Sequence, residues 1–184
     1  MPASPVRRAV YGGSFDPPTL GHLFLIRQGA RLFDRLLVAV GTNPAKHYTF
    51  PIAVRLAILR RCVQGLANVR VFRFEGRFLA DFARARRARF LLRGIRNAQD
   101  YDFERALRLV NADIQPGLVS VFLMPPRELA ELSSSFVKGL VGPRGWERVV
   151  RKYLPAPAFQ EVRKWARQGP SRPPTPSGRG ARPL

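Results

Sequence analysis

Apolar residues cluster in five short runs, at residues 8–11, 36–40, 69–74, 90–92 and 119–123, each bounded by polar or glycine-rich sequence. Runs of this length predict buried β-strands. Between them the apolar positions recur at helical spacing, at residues 51–62, 79–86 and 101–113, and a further helix begins at the cap residue Thr19. Strand and helix thus alternate, which predicts an α/β domain: a Rossmann-like, doubly wound, parallel five-stranded sheet with helices on both faces. From Ser133 onward the pattern turns wholly helical, at residues 135–141, 146–153 and 157–165, and these C-terminal helices are expected to close one edge of the domain. After Gln168 the chain is almost entirely Pro, Gly, Ser, Thr and Arg, too poor in apolar surface to fold. Residues 1–168 therefore read as one domain and 169–184 as a disordered basic tail.

With 184 residues, 46% of them hydrophobic, the chain can bury a full core. No run approaches the roughly 18 apolar residues needed to cross a bilayer, and the N-terminus lacks the apolar stretch of a secretory signal, so a cytoplasmic protein is expected. Cys62, the single cysteine, falls in an apolar helical pattern and reads as a packed thiol. The net charge of +20 favours nucleotides, phosphorylated metabolites and nucleic acid alike. No RNA- or DNA-binding module appears, so any nucleic-acid binding is expected to be nonspecific.

The strand–turn–helix from Arg8 through His22 carries the most chemistry. Gly12 and Gly13 allow close backbone approach, Thr19 caps the helix, and free first-turn amides with the helix dipole are expected to face an anion beside His22. Arg93 and Arg96 flank Gly94 at the end of the fourth strand, with Asp100 and Asp102 following. They are either forked phosphate donors or a solvated pair bridged to those carboxylates. Ser133, Ser134 and Ser135 stand at a helix start before Lys138, either as an N-cap with idle neighbours or as phosphate ligands. Lys46 lies in the loop after the second strand, where lysines are ordinarily just solvated.

The run Gly13, Ser14, Phe15, Asp16, Pro17 and the Thr19, Leu20, Gly21, His22 signature resemble the nucleotidylyltransferase superfamily, and among it the bacterial phosphopantetheine adenylyltransferases. Arg93, Gly94, Ile95, Arg96 with Glu104 downstream, and Leu132 to Ser135 before Lys138, match two further motifs of that family, over roughly residues 8–165. Gly12, Leu20, Phe24, Ala53 and Val54 depart from its usual residues. The resemblance implies adenylyl transfer from ATP to 4'-phosphopantetheine, giving dephospho-coenzyme A and pyrophosphate. It implies His22, Lys46 and Arg93 as catalytic residues. Ser14, Phe15, His22, Gly94, Ile95, Arg96, Glu104 and the stretch Leu129, Ala130, Glu131, Leu132, Ser133, Ser134, Ser135 would bind ATP, the serine motif gripping its outer phosphates. Ser14, Lys46, Leu79 and Arg93 would bind the acceptor. Mg²⁺ would bridge the phosphates with no protein cage, and the chain would be a homo-oligomer, a hexamer by resemblance. Transfer to another phosphorylated acceptor, such as nicotinamide mononucleotide, and a non-catalytic nucleotide- or RNA-binding relative are the alternatives.

Overall fold

The runs at residues 9–11, 36–40 and 91–92 are buried because helices cover the sheet on both faces, while the edge runs at 69–74 and 119–123 stay partly exposed. The computed structural model describes residues 5–43 and 47–168. Its strands are β1 (Arg8–Gly13), β2 (Arg35–Gly41), β3 (Val69–Phe74), β4 (Phe90–Gly94) and β5 (Val119–Leu123), all parallel, in the order β3-β2-β1-β4-β5. The helices are α1 (Leu20–Leu32), α2 (Ile52–Cys62), α3 (Leu79–Ala85), α4 (Ala98–Ile114), α5 (Ser134–Gly139), α6 (Trp146–Val150) and α7 (Ala156–Arg167), with a 3₁₀ turn at Arg127–Leu129. Helix α4 starts three residues earlier than its apolar pattern because the Asn97 side chain caps it, accepting from the Asp100 N–H at 2.9 Å.

The period-two alternation of the strands sorts the core into two layers. Ala9, Tyr11, Leu36, Val38 and Val40 pack on one face against Leu25 and Ile26 of α1 and Leu56 and Leu59 of α2. Val10, Leu37, Ala39 and Leu91 pack on the other against Ala80, Phe82 and Ala83 of α3 and Ile114 of α4. Phe82 is fully buried, so truncating it to Ala would cost about 3–5 kcal/mol.

The C-terminal helices form a layer of their own. They pack on helices rather than on the sheet: Val150, Leu154, Ala158, Phe159 and Val162 form a third cluster with Phe50 and Ile58 of the α2 region and Leu132 and Val137 of the serine turn, and no strand residue belongs to it. Their apolar stripes were legible, but the surface that receives them is made by α2 and α5 folded together. That layer also fixes the site, since the Tyr153 carbonyl accepts from the Leu20 N–H at the start of α1 (2.9 Å). The predicted tail at 169–184 lies outside the described residues.

Candidate active site

The sheet order reverses between β1 and β4, and a cavity of about 330 Å³ opens above the carboxyl ends of those two strands, where ligands of such sheets bind. β1 and β4 each run two residues beyond their apolar runs, so Gly12, Gly13, Arg93 and Gly94 belong to the strands themselves. Gly12 lets Leu79 pack directly on β1: a Cβ there would stand 2.8 Å from both Leu79 methyl groups and would require that side chain to move. Beyond β1 the chain turns sharply at Phe15, which holds φ of 50° with its ring fully buried edge-on between Tyr11 (5.4 Å) and His22 (5.1 Å).

His22 is both a site residue and half of a helix cap. The buried Thr19 N–H donates to His22 Nδ1 at 3.0 Å, the Thr19 hydroxyl lies 2.8 Å from the same nitrogen, and the Thr19 oxygen accepts from the His22 N–H at 3.5 Å. This is a capping box with histidine where Glu or Gln usually stands. Because Nδ1 accepts a backbone N–H, the ring hydrogen of the neutral imidazole sits on Nε2. Burial, helped by the Arg96 charge, lowers the His22 pKa to about 4, so the ring is neutral at physiological pH. His22 therefore offers the cavity one neutral donor with a fixed tautomer.

The first-turn amides are less free than the sequence suggests. Leu20 N–H is taken by Tyr153 and His22 N–H by Thr19, leaving the Gly21 N–H, on the cavity wall, without a partner among the described residues.

Two guanidinium groups form the opposite side. Arg93 grips Glu104 through both carboxylate oxygens, with Nε at 2.6 Å from Oε2, and donates to the Gly12 carbonyl at 3.2 Å. Glu104 is the one buried residue of α4, so it acts as the anchor for Arg93, not as a free acceptor. Arg96 is bidentate to Asp100 at 2.8 and 3.0 Å, the carboxylate-bridged arrangement, yet it still lines the cavity; the pairing holds the Asp100 carboxyl below its usual range. The carboxylate-bridged reading is thus met for Arg96 through Asp100, whereas the partner of Arg93 is Glu104 rather than Asp100 or Asp102; both guanidinium groups are pre-oriented by a carboxylate and line the cavity. Burial pushes the Tyr11 phenol upward despite the opposing pull of Arg93 and Arg96, so it stays a neutral wall.

Ser133 caps α5, accepting from the Phe136 N–H at 3.0 Å, and Ser134 donates to the Pro17 carbonyl at 2.8 Å, tying the serine turn to the glycine turn. Ser133, Ser134 and Ser135 all line the cavity. Lys138 does not: its amine lies 3.0 Å from the Asp16 carboxylate.

The cavity thus gathers Ser14, His22, Arg93, Gly94, Arg96, Glu104, Leu129, Leu132 and the three serines. Phe15, Ile95, Ala130 and Glu131 are not on its wall; Phe15 and Ile95 are buried. Lys46 lies outside the described residues. A second, more apolar cavity of about 310 Å³ adjoins the first, shares Gly12, Gly13, Ser14 and Arg93 with it, and has Leu79, Phe74, Phe78 and Val110 on its wall. Cys62 is a packed thiol whose pKa burial raises to about 11, and it lines neither cavity. Among the described residues no group of three or more His, Cys, Asp or Glu could hold a metal, and no helix is long and apolar enough to cross a membrane.

Two buried charges beneath the site were missed from the sequence. Asp16, 3% exposed, accepts from the Thr49 and Phe50 N–H groups at 2.9 and 2.8 Å besides Lys138. Arg55, 1% exposed, donates to the carbonyls of Ser14 (2.7 Å), Gly41 (2.9 Å) and Phe50 (3.0 Å) and stacks on Tyr48 at 4.2 Å. An arginine inside an apolar helix was the available signal for the second; the first lies in the motif run Gly13 to Pro17, but its partners Thr49, Phe50 and Lys138 are far along the chain.

The cytidylyltransferase-like family matches residues 10–139. The chain is 52% identical over 157 residues to the phosphopantetheine adenylyltransferase of Chromobacterium violaceum, covering 85% of this chain and 96% of the relative. It is 51% identical over 162 residues to that of Neisseria meningitidis serogroup C, covering 88% and 95%. A 40% identity to that of Thermosynechococcus vestitus spans 88% and 94%. The fold is shared with the Plasmodium falciparum nicotinic acid mononucleotide adenylyltransferase complexed with NaAD, at a TM-score of 0.65 and 13% identity over 88% of this chain and 96% of that one. A putative nicotinate-nucleotide adenylyltransferase from Vibrio parahaemolyticus superposes with a TM-score of 0.61 at 16% identity over 90% and 97%. With three sequence motifs converging on one cavity and relatives this similar along nearly their whole length, the chain belongs to the phosphopantetheine adenylyltransferase family.

Proposed function

We infer that the protein transfers the adenylyl group of ATP to 4'-phosphopantetheine, releasing pyrophosphate and forming dephospho-coenzyme A. The observation that carries this reading is the pair of cavities joined at Ser14 and Arg93: a polar one with His22, Arg96 and the serine turn, and an apolar one suited to a long acceptor arm. The acceptor phosphate oxygen attacks the α-phosphorus in line. The new P–O bond forms as the bond to the β-phosphate oxygen breaks, and the electron pair leaves with pyrophosphate, with no covalent enzyme intermediate. Aligning two polyanions can contribute about 7–11 kcal/mol of the barrier reduction. In this reading His22 Nε2–H donates to the oxygen on which charge grows, Arg93 sits where the two substrates meet, and Lys46 adds a third donor. Arg96, the Gly21 amide and the serines hold the outer phosphates.

Magnesium enters with ATP as the MgATP substrate. The cavity's one carboxylate, Glu104, is held by Arg93, so the donor set supports an ion carried on phosphate oxygens and water. A cytoplasmic location accords with soluble substrates.

Self-association is part of the same proposal. Of the 17 residues of α4 only Glu104 is buried, while Phe103, Leu109 and Val110 are 63%, 59% and 44% exposed, apolar surface that a second copy would cover. The hexamer rests on resemblance.

Pyrophosphate release from ATP with 4'-phosphopantetheine, compared with nicotinate and nicotinamide mononucleotides, tests the acceptor. Turnover with a mononucleotide alone would overturn the assignment. A His22→Ala variant should lose about 100-fold or more in kcat.

A further inference from the structure

A second cationic cavity lies at the opposite pole of the sheet from the site above. It measures about 600 Å³ and is walled by Arg8, Arg35, Arg70 and Arg86, with Phe72 and Asp34 among its other residues. The fold itself brings these arginines together. Arg8 and Arg35 are paired neighbours at the first positions of β1 and β2, Arg70 is the second residue of β3, and Arg86 caps the end of α3.

Their charge is poorly compensated. The only carboxylate on the wall, Asp34, is committed to Arg7 at 2.8 Å. Arg70 is partly satisfied by loop and strand carbonyls, donating to Ala67 and Val69 at 3.1 and 3.0 Å. Arg8, Arg35 and Arg86 make no side-chain hydrogen bond or ion pair among the described residues, and Arg8 Nε is shut from solvent without a partner. Arg86 lies over the Phe72 ring at 4.3 Å, which fixes the plane of its guanidinium and leaves its edge N–H groups unspent. Crowding like charges around an unfilled space is unfavourable, and a multivalent anion relieves it with several charge-assisted bonds at once.

We propose that this cavity is a second anion site, taking a small ligand that carries two or more linked phosphate groups. Its volume is that of a metabolite pocket, and its ring-backed arginine provides the bidentate fork that phosphate oxygens fit. It is separate from the adenylyl-transfer residues, so its occupation need not follow catalysis.

The test is calorimetric titration of the full chain with inorganic tripolyphosphate, comparing the native protein with an R35Q/R86Q variant. Both substituted residues are exposed, and the single variants serve if the double one does not fold. The variant should bind one equivalent per chain fewer, or bind it about tenfold or more weakly, while its pyrophosphate-release rate with ATP is unchanged. Because the readout is the difference between two proteins, it stands whether or not the adenylyl-transfer assignment is right. Equal stoichiometry and affinity in the two proteins would overturn the proposal. So would polyuridylate RNA losing affinity in the variant while tripolyphosphate does not, since that result assigns the arginines to nucleic acid. Adding ATP as a competitor distinguishes a nucleotide from free polyphosphate as the source of the phosphates.

Discussion

The neutral, helix-capping state of His22 makes the protein's stability depend on pH in a calculable way. In the folded chain its pKa is about 4, against an ordinary 6.5. The unfolded chain therefore binds the proton more readily, and acid favours unfolding. The contribution is whole above about pH 6.5 and drains away as pH falls toward 4. At about 1.4 kcal/mol per pH unit, moving from pH 7 to pH 5 should cost about 2 kcal/mol through this one ring. The control is His22→Gln, since glutamine keeps a capping-box acceptor without titrating. Urea unfolding at both pH values should show the native protein losing about 2 kcal/mol more than the variant. With only two histidines in the chain, the imidazole proton signals give a direct second measurement, in which the His22 resonance should not shift until well below pH 6. Parallel stability curves for the two proteins, or a His22 signal titrating near 6.5, would refute the buried neutral ring and with it the Nε2–H donor.

Three other outcomes follow from the contacts. Asp16→Ala strands the Lys138 ammonium and the N–H groups of half-buried Thr49 and buried Phe50 and should lower unfolding free energy by about 3 kcal/mol, read by chemical denaturation. Arg96→Ala should raise KM for ATP more than it lowers kcat with the acceptor saturating, because the residue is assigned to the outer phosphates; steady-state kinetics decides it. On the proposal that this chain self-associates through α4, Phe103→Glu should give smaller species by light scattering than the native protein without unfolding the protomer, since the side chain is 63% exposed on the isolated chain.

The elements were legible because burial acts locally: a strand covered on both sides must be apolar throughout, as residues 36–40 are, and a helix lying on a sheet must repeat its apolar residues near every third or fourth position. Strand ends were less so, since Gly12, Gly13, Arg93 and Gly94 continue the ladder with residues that carry no apolar signature. Motif and resemblance pointed to residues that the fold brings to one cavity, among them Ser14, His22, Arg93, Arg96 and the three serines, but what holds them was not legible. Asp16 meets Lys138 across 122 positions, and Arg93 reaches the Gly12 carbonyl across 81. Nor could periodicity reveal that the Tyr153 carbonyl consumes a first-turn amide, because that contact depends on how the last helices seat on α2.

The sealed position of Arg55 has a consequence for how the protein meets its substrates in concentrated salt. Counter-ions gather around the many guanidinium groups on the surface and mask them, but they cannot reach a cation locked under the floor of the cleft by three carbonyl oxygens. Part of the pull on an incoming polyanion should therefore survive ionic strengths that abolish long-range steering. Capture would slow as salt rises, while retention of the seated nucleotide would change far less.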